Sequence, residues 1–410
     1  MNAKDGKHLL GLVALIGLMT CQGCRKDATY PKFAESTIEF RPGEGATSGF
    51  EALAAAGAAV EKTLQPELLR RVSFTPGERK KMITLVSSSA DRVGRAAGSI
   101  GDFPFRGYPP DRLPPFHAGW RAISRVWAWK IEDAVAAGNF GAAVTTYRYA
   151  GRFAWDLMRG GAQDGLLGIL IVSEARAAIA KSMASLPVGA LQELADVAQN
   201  LDESYPDIAG TLQRETLSSK QALQLLQDLY QAKKWTEIES LLGSAARDAV
   251  EYLHRLKPES QERKDYFESL AKEIDEEALM QIDQAKRPVS SQRKFEDPSN
   301  SGRPWRIFRK TMFQTGRLLV LAMDETRARN RLLALHARAL AASKSTGKTL
   351  AQLDLKNQLI LDPYSGRPFI YRTDGTTFEL YSVGVDGVDD GGRTDSSGRA
   401  PDLRLEGFDL

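Results

Sequence analysis

Residues 362–392 read DPYSGRPFIYRTDGTTFELYSVGVDGVDDGG. Phe369 to Arg372 and Thr377 to Val383 are rich in aromatic and β-branched residues, and the short connection between them holds Asp374-Gly375, a strong hairpin signal. Asp362-Pro363 and Ser365-Gly366 are turn chemistry leading into the first run. No strand-like alternation occurs before residue 360. The stretch therefore divides the chain into a small antiparallel hairpin module at the C-terminal end and a helical body ahead of it.

In that body Phe50, Leu53, Gly57, Val60, Leu64 and Leu68 recur at three- and four-residue steps, which places them on one helix face. Thr75-Pro76-Gly77-Glu78 has the form of a helix start with Pro at the first helical position. Phe103 to Phe116 carries five prolines and reads as a loop whose aromatic residues need burial. Trp120, Trp127, Trp129, Phe140, Tyr147, Tyr149, Phe153 and Trp155 form an aromatic belt over two helices broken near Gly138-Asn139. The belt could line a ligand groove, but packing between helices is the commoner use of such residues. Residues 163–201 give two more helices separated by Leu186-Pro187. Trp235, Ile238, Leu241, Leu242, Ala245, Ala249 and Leu253 predict one amphipathic helix, and Phe267, Leu270, Ile274, Ala278 and Ile282 another. The expected fold is mainly α: a helical array or bundle over 49–300, then a long helix and a small α+β module over 301–410.

The first thirty residues point to export. Lys4 and Lys7 precede an apolar run from Leu9 to Met19, too short to span a bilayer and laid out as a secretory signal. Both cysteines of the chain, Cys21 and Cys24, follow it at once. This resembles a bacterial lipoprotein signal over residues 1–20. Leu18-Met19-Thr20-Cys21 favours Cys21 as the lipidated residue, and Gln22-Gly23-Cys24 makes Cys24 the alternative. A Cys-x-x-Cys redox pair or short disulfide is the competing reading, but such a pair belongs at a helix start inside a folded domain. Residues 21–48, rich in Pro, Gly, Thr and charge, read as a linker. The expected location is the bacterial cell envelope, with the body tethered to the lipid bilayer and facing the periplasm or exterior.

The chain has 410 residues, of which 42% are hydrophobic and 26% charged. That composition excludes disordered, collagenous and polytopic membrane classes. A net charge of +3 argues against nucleic acid as a partner. Arg303 to Arg331 is locally basic, with Arg306, Arg309, Lys310, Arg317, Arg327 and Arg329 between; on a long helix such a run is usually a solvated face. Ala342 to Thr349 imitates a phosphate loop but follows a helical run instead of a buried strand, so no nucleotide is expected. No Gly-x-Ser-x-Gly elbow occurs, and His117, His254 and His336 form no metal-ligand pair at short spacing. His117, beside the Pro-rich loop, is the best lone candidate for acid/base work. Carboxylate-only chemistry depends on three-dimensional pairing.

Residues 384–410 hold seven acidic groups against three arginines. Aspartates on a Gly-rich, tightly turning loop suit Ca²⁺, which takes six to eight oxygen ligands, although the spacing is not that of an EF-hand. The order Asp-Pro-x-x-Gly-x-Pro, aromatic strand, Asp-Gly turn, Phe-x-Leu-Tyr-Ser-x-Gly-x-Asp-Gly, Gly-Gly and a later Asp resembles the C-terminal module of major pseudopilins of type II secretion, over roughly residues 327–410. That resemblance implies a structural Ca²⁺ held by Asp side chains and main-chain carbonyls. Asp386 and Asp402 are the best matches to the ligands, followed by Asp389 and Asp390. The N-terminal half departs from the family, since a pseudopilin begins with a prepilin-peptidase site and a long apolar assembly helix, so a filament subunit is not expected. The chain as a whole looks like uncharacterised envelope lipoproteins that pair a helical body with this module. The leading expectation is a non-enzymatic binding or scaffolding protein. An envelope hydrolase acting on carbohydrate through carboxylates in an aromatic cleft, and an accessory factor docking on secretion pseudopilins, are the alternatives.

Overall fold

The computed structural model describes residues 47–71, 73–98, 114, 116–242, 247–257, 259–287, 289, 307–352, 358–393 and 402–405. Cys21, Cys24, nearly all of the linker and most of the Pro-rich segment lie outside the described residues. The described chain is mainly helical, with a small two-stranded antiparallel sheet near its end.

The helices are α1 (Thr47–Thr63), α2 (Pro66–Arg70), α3 (Pro76–Ala96), α4 (His117–Ala136), α5 (Phe140–Met158), α6 (Ala162–Ala180), α7 (Val188–Glu203), α8 (Ile208–Gln231), α9 (Trp235–Leu242), α10 (Arg247–Arg255), α11 (Gln261–Lys286) and α12 (Ile307–Thr346). Their starts follow from local chemistry. Thr75 and Glu78 form a reciprocal capping box at α3, while Asn139, Asp207 and Ser260 accept amide hydrogens at the starts of α5, α8 and α11. The face from Phe50 to Leu64 is buried as its spacing requires, but Pro66 opens a separate helix, so Leu68 leaves that face. The single helix expected from Trp235 to Leu253 is two, α9 and α10. Gly243-Ser244, weak helix formers, stand in the sequence between them, and Trp235 stacks on His254 with ring centroids 3.7 Å apart.

The main core joins α1, α3, α4, α5, α6 and α7 to the middle of α12. Helix α6 carries apolar residues around its whole circumference and is covered by α4, α5 and α12, which is what an all-round apolar helix demands. A second cluster fills the space between the C-terminal half of α8, α9, α10 and α11. Most of the aromatic belt is core: Trp120, Trp127, Tyr147 and Phe153 are essentially inaccessible, each burial worth about 1.5–3 kcal/mol, while Trp129, Phe140 and Tyr149 are half-buried against it. Trp120 and Trp155 satisfy their indole N–H groups on the Leu53 and Leu201 carbonyls at 2.8 and 2.6 Å. Gly57 and Gly119 mark where α1 crosses α4, so closely that a Cβ on Gly119 would enter the Gly57 carbonyl.

Helix α12, 40 residues and so about 60 Å long, runs through both parts of the chain. It packs on α11, α6 and α7 and then carries the hairpin on Leu332, Leu335 and Ala339, which meet Phe369, Phe378 and Leu380. Strands β1 (Ile370–Thr373) and β2 (Phe378–Tyr381) pair with Ile370 opposite Tyr381 and Thr373 opposite Phe378. The basic run on α12 is less solvated than its composition predicts. Arg317 is exposed, but Arg327 and Arg331 both reach the buried Asp202 of α7, at 3.1 and 2.9 Å. Arg329 pairs with Glu325 and donates to the Arg404 carbonyl at 2.9 Å. The phosphate-loop-like stretch closes α12 instead of opening a helix, and Lys344 donates to the Ala184 and Leu186 carbonyls.

Candidate functional site

The Asp-Pro turn and the end of β2 are tied by one carboxylate. Asp362, 1% exposed, accepts the Tyr364 amide at 2.9 Å and the Val383 amide at 3.1 Å, and the Ser382 hydroxyl lies 2.9 Å from both its oxygens. Burial pushes its carboxyl up, against these donors and Arg331, which hold it down. Ser382 also pairs through its backbone with Leu403, which carries the chain from residue 402 back against the hairpin.

That return sets Asp402 under the Gly-rich loop. Its Oδ2 accepts the Gly392 amide at 2.6 Å. Its Oδ1 is buried and has no hydrogen-bond partner among the described residues. Burial raises the Asp402 carboxyl, the Gly392 and Asp390 amides hold it down, and the nearby charges of Asp389 and Asp390 raise it further. Arg404 closes the other side, donating to the Gly392 carbonyl at 2.6 Å and pairing with Glu379 at 3.1 Å. Arg372 and Arg404 both sit 5.5 Å from the centre of the Tyr381 ring, a cation–π contact each.

The four aspartates singled out by sequence do not all converge. Asp389, Asp390 and Asp402 are neighbours, but Asp389 is engaged: it accepts from the Tyr381 hydroxyl at 2.8 Å and the Gly391 amide at 2.9 Å and pairs with Arg372 at 2.8 Å. The Tyr381 bond, first among these contacts, holds its carboxyl below the usual range. Asp386 is exposed and accepts the Val388 amide of its own turn at 3.0 Å. Among the described residues no three His, Cys, Asp or Glu side chains are gathered in a metal-holding geometry. What the loop brings together is the buried Asp402 Oδ1 and the nearby carboxylates of Asp389 and Asp390. Asp362, Arg372 and Arg404, which build this module, carried no sequence signal beyond turn and charge.

His117, the lone acid/base candidate, has a partner: its Nε2 lies 2.6 Å from Asp164 Oδ1. Glu215 of α8 stands beside this pair and accepts the Ala162 amide at 3.0 Å, and burial raises its carboxyl to about 7, with Asp164 adding to the rise. The group sits at the start of α6, where unpaired amides and the helix dipole favour negative charge. His117 is buried against Phe116 and Trp120, so its geometry is that of a packed and paired histidine. His336 is buried as well; burial lowers it to about 4, and it faces the Leu332 carbonyl at 2.8 Å.

Among the described residues no helix is long and apolar enough to cross a membrane. Comparison with protein-family models, with curated proteins and with solved structures finds no match to this chain.

Proposed function

We propose that this protein is a lipid-anchored binding or scaffolding protein of the bacterial envelope whose C-terminal module is stiffened by Ca²⁺. The observation that carries the calcium part is the buried Asp402 Oδ1, without a hydrogen-bond partner among the described residues and next to two further carboxylates. A buried carboxylate in that state costs free energy that a cation would recover. Asp402 would hold the ion with Asp390 and main-chain carbonyls, and Asp386 could join only by leaving its turn. The ion would contribute charge neutralisation and rigidity to the loop.

Tethering rests on the lipoprotein-like signal with Cys21 or Cys24. The hydrolase alternative called for an open aromatic cleft, whereas the belt residues Trp120, Trp127 and Phe153 are filled core; binding through an exterior surface is thus the better reading. Docking on secretion pseudopilins has only the likeness of the module in its favour.

Two measurements test this. Adding Ca²⁺ to chelator-treated protein should raise its melting temperature in a saturable way that Asp402→Asn abolishes; an unchanged melting temperature would remove the calcium part. In cells fed a labelled fatty acid, label should enter the wild-type chain and be lost on Cys21→Ser or, failing that, Cys24→Ser. Label retained in the double variant would remove the anchor.

A further inference from the structure

Helix α3, 21 residues and so about 32 Å long, turns one face to the body and the other to solvent. Met82, Val86, Ala90 and Val93 are buried where α3 packs on α1, α4 and α5. The opposite stripe is Lys81, Leu85, Ser88, Arg92 and Arg95, at alternating steps of four and three residues, and all five are exposed.

The charge on this face is one-sided. The helix carries five basic residues against two acids, and both acids are engaged, Glu78 with Arg71 and Asp91 with Lys130 at 2.7 Å. Arg79 is taken by Glu132 and Asp133 of α4, each at 2.8 Å. Lys80, Lys81, Arg92 and Arg95 have no acidic partner among the described residues. Helix stability accounts for Arg95, in the last turn, but Lys80 and Lys81 stand near the start, where the helix dipole gives cations nothing. Four uncompensated cations thus lie along about 22 Å of helix, with the apolar side chain of Leu85, 41% exposed, in their midst.

We propose that the outer face of α3 lies on the anionic phospholipid headgroups of a bilayer. Lysine and arginine are drawn to such a surface, and their apolar stems, with Leu85, suit the boundary between headgroups and acyl chains. The phosphate backbone of a nucleic acid matches the charges but gives Leu85 no apolar surroundings. The chain layout agrees: residues 1–46 lead into α1, and α1 packs on α3, so a tether at Cys21 or Cys24 enters the body beside this face. The inference rests on the membrane location proposed above but needs neither the lipid anchor nor calcium.

The test is co-sedimentation of the full chain carrying Cys21→Ser and Cys24→Ser, which removes both lipidation candidates, with phosphatidylcholine vesicles and with vesicles also holding about 30 mol% phosphatidylglycerol, at about 0.1 M salt. Affinity for the anionic vesicles should be at least about tenfold higher. Lys81→Gln, Arg92→Gln and Arg95→Gln combined should lower it at least about thirtyfold, since each basic residue at such a surface is worth about fivefold. Lys4 and Lys7 of the leader are common to every chain compared, so this loss isolates α3. Removing as many charges from exposed positions of α10 and α11, by Arg255→Gln, Lys264→Gln and Lys272→Gln, should change affinity less than about twofold, because charges beyond a Debye length are screened. Circular dichroism melts establish that each variant is folded. Fatty-acid labelling is read separately, so failure of the anchor and failure of this surface are distinguishable. Equal binding to both vesicle types, undiminished binding by the α3 variant, an equal loss in the α10–α11 variant, or binding to duplex DNA in place of vesicles would overturn the proposal.

Discussion

Asp202 of α7 holds Arg331 of α12 at 2.9 Å with both side chains 7% exposed. Arg327 adds a second contact to the same oxygen at 3.1 Å. One buried carboxylate thus fastens the long terminal helix to the body. Removing it would leave Arg331 buried and charged. Asp202→Ala should cost about 3–5 kcal/mol, measured by urea denaturation, whereas Arg327→Ala, at the more exposed partner, should cost about 1 kcal/mol or less.

Asp362 plays the same part inside the C-terminal module. Asp362→Ala strands the Tyr364 and Val383 amides and the Ser382 hydroxyl, and should destabilise by about 3 kcal/mol. Hydrogen exchange should locate the loss in β1, β2 and residues 402–405, with the helices of the main core still protected. Uniform loss of protection along the chain would contradict this division.

The buried Asp402 Oδ1, which no described residue hydrogen-bonds, predicts a crossing of stabilities. Without Ca²⁺, Asp402→Asn should be more stable than the wild type by about 1 kcal/mol, because the buried charge is gone while an acceptor for Gly392 remains. With Ca²⁺ at a hundred times its dissociation constant the wild type should gain about 2.7 kcal/mol and overtake the variant. Thermal melts with chelator and with added Ca²⁺ check both signs.

Glu215 sets a pH dependence. Its carboxyl is raised from 4.5 to about 7 in the folded protein, so the folded state holds that proton more tightly than the unfolded chain. The contribution to stability is complete below about pH 4.5 and is lost as pH rises through 7. Glu215→Gln keeps an acceptor for the Ala162 amide and removes the charge. It should gain about 1–2 kcal/mol at pH 8 and flatten the stability profile between pH 5 and 7, as read from denaturation at a series of pH values.

The helix crossing at Gly57 and Gly119 has no room for a methyl group. Gly119→Ala should cost about 1–3 kcal/mol or more by overpacking, seen as a lower denaturation midpoint. Gly77→Ala, at a position open to solvent, should lie within about 0.5 kcal/mol of the wild type.

Elements whose information is local were legible from residue order. The start of α3 at Thr75-Pro76, the break at Gly138-Asn139, the buried face of α11 and the Asp-Gly hairpin each need only neighbours a few positions apart, and each stands where its spacing put it. The expected single helix from Trp235 to Leu253 failed because apolar periodicity continued through a Gly-Ser pair. The aromatic belt left groove and core open, since periodicity says which side chains share a face but not what covers it; α1, α3 and α6 decide for core.

Charge and site chemistry were far less legible. Arg327 and Arg331 read as solvated because Asp202, their partner, is more than a hundred residues away. His117 looked isolated because Asp164 lies 47 residues on. The four loop aspartates were visible as composition, yet only the backbone pairing of Ser382 with Leu403 turns Asp402 inward while Asp386 stays in its own turn. The sequence by itself determined the helical class and the terminal hairpin, because periodicity, capping and turn chemistry act over a few residues. The tertiary structure alone decided which charges are buried and which are paired, because burial and electrostatic partnership depend on distances that chain order does not contain.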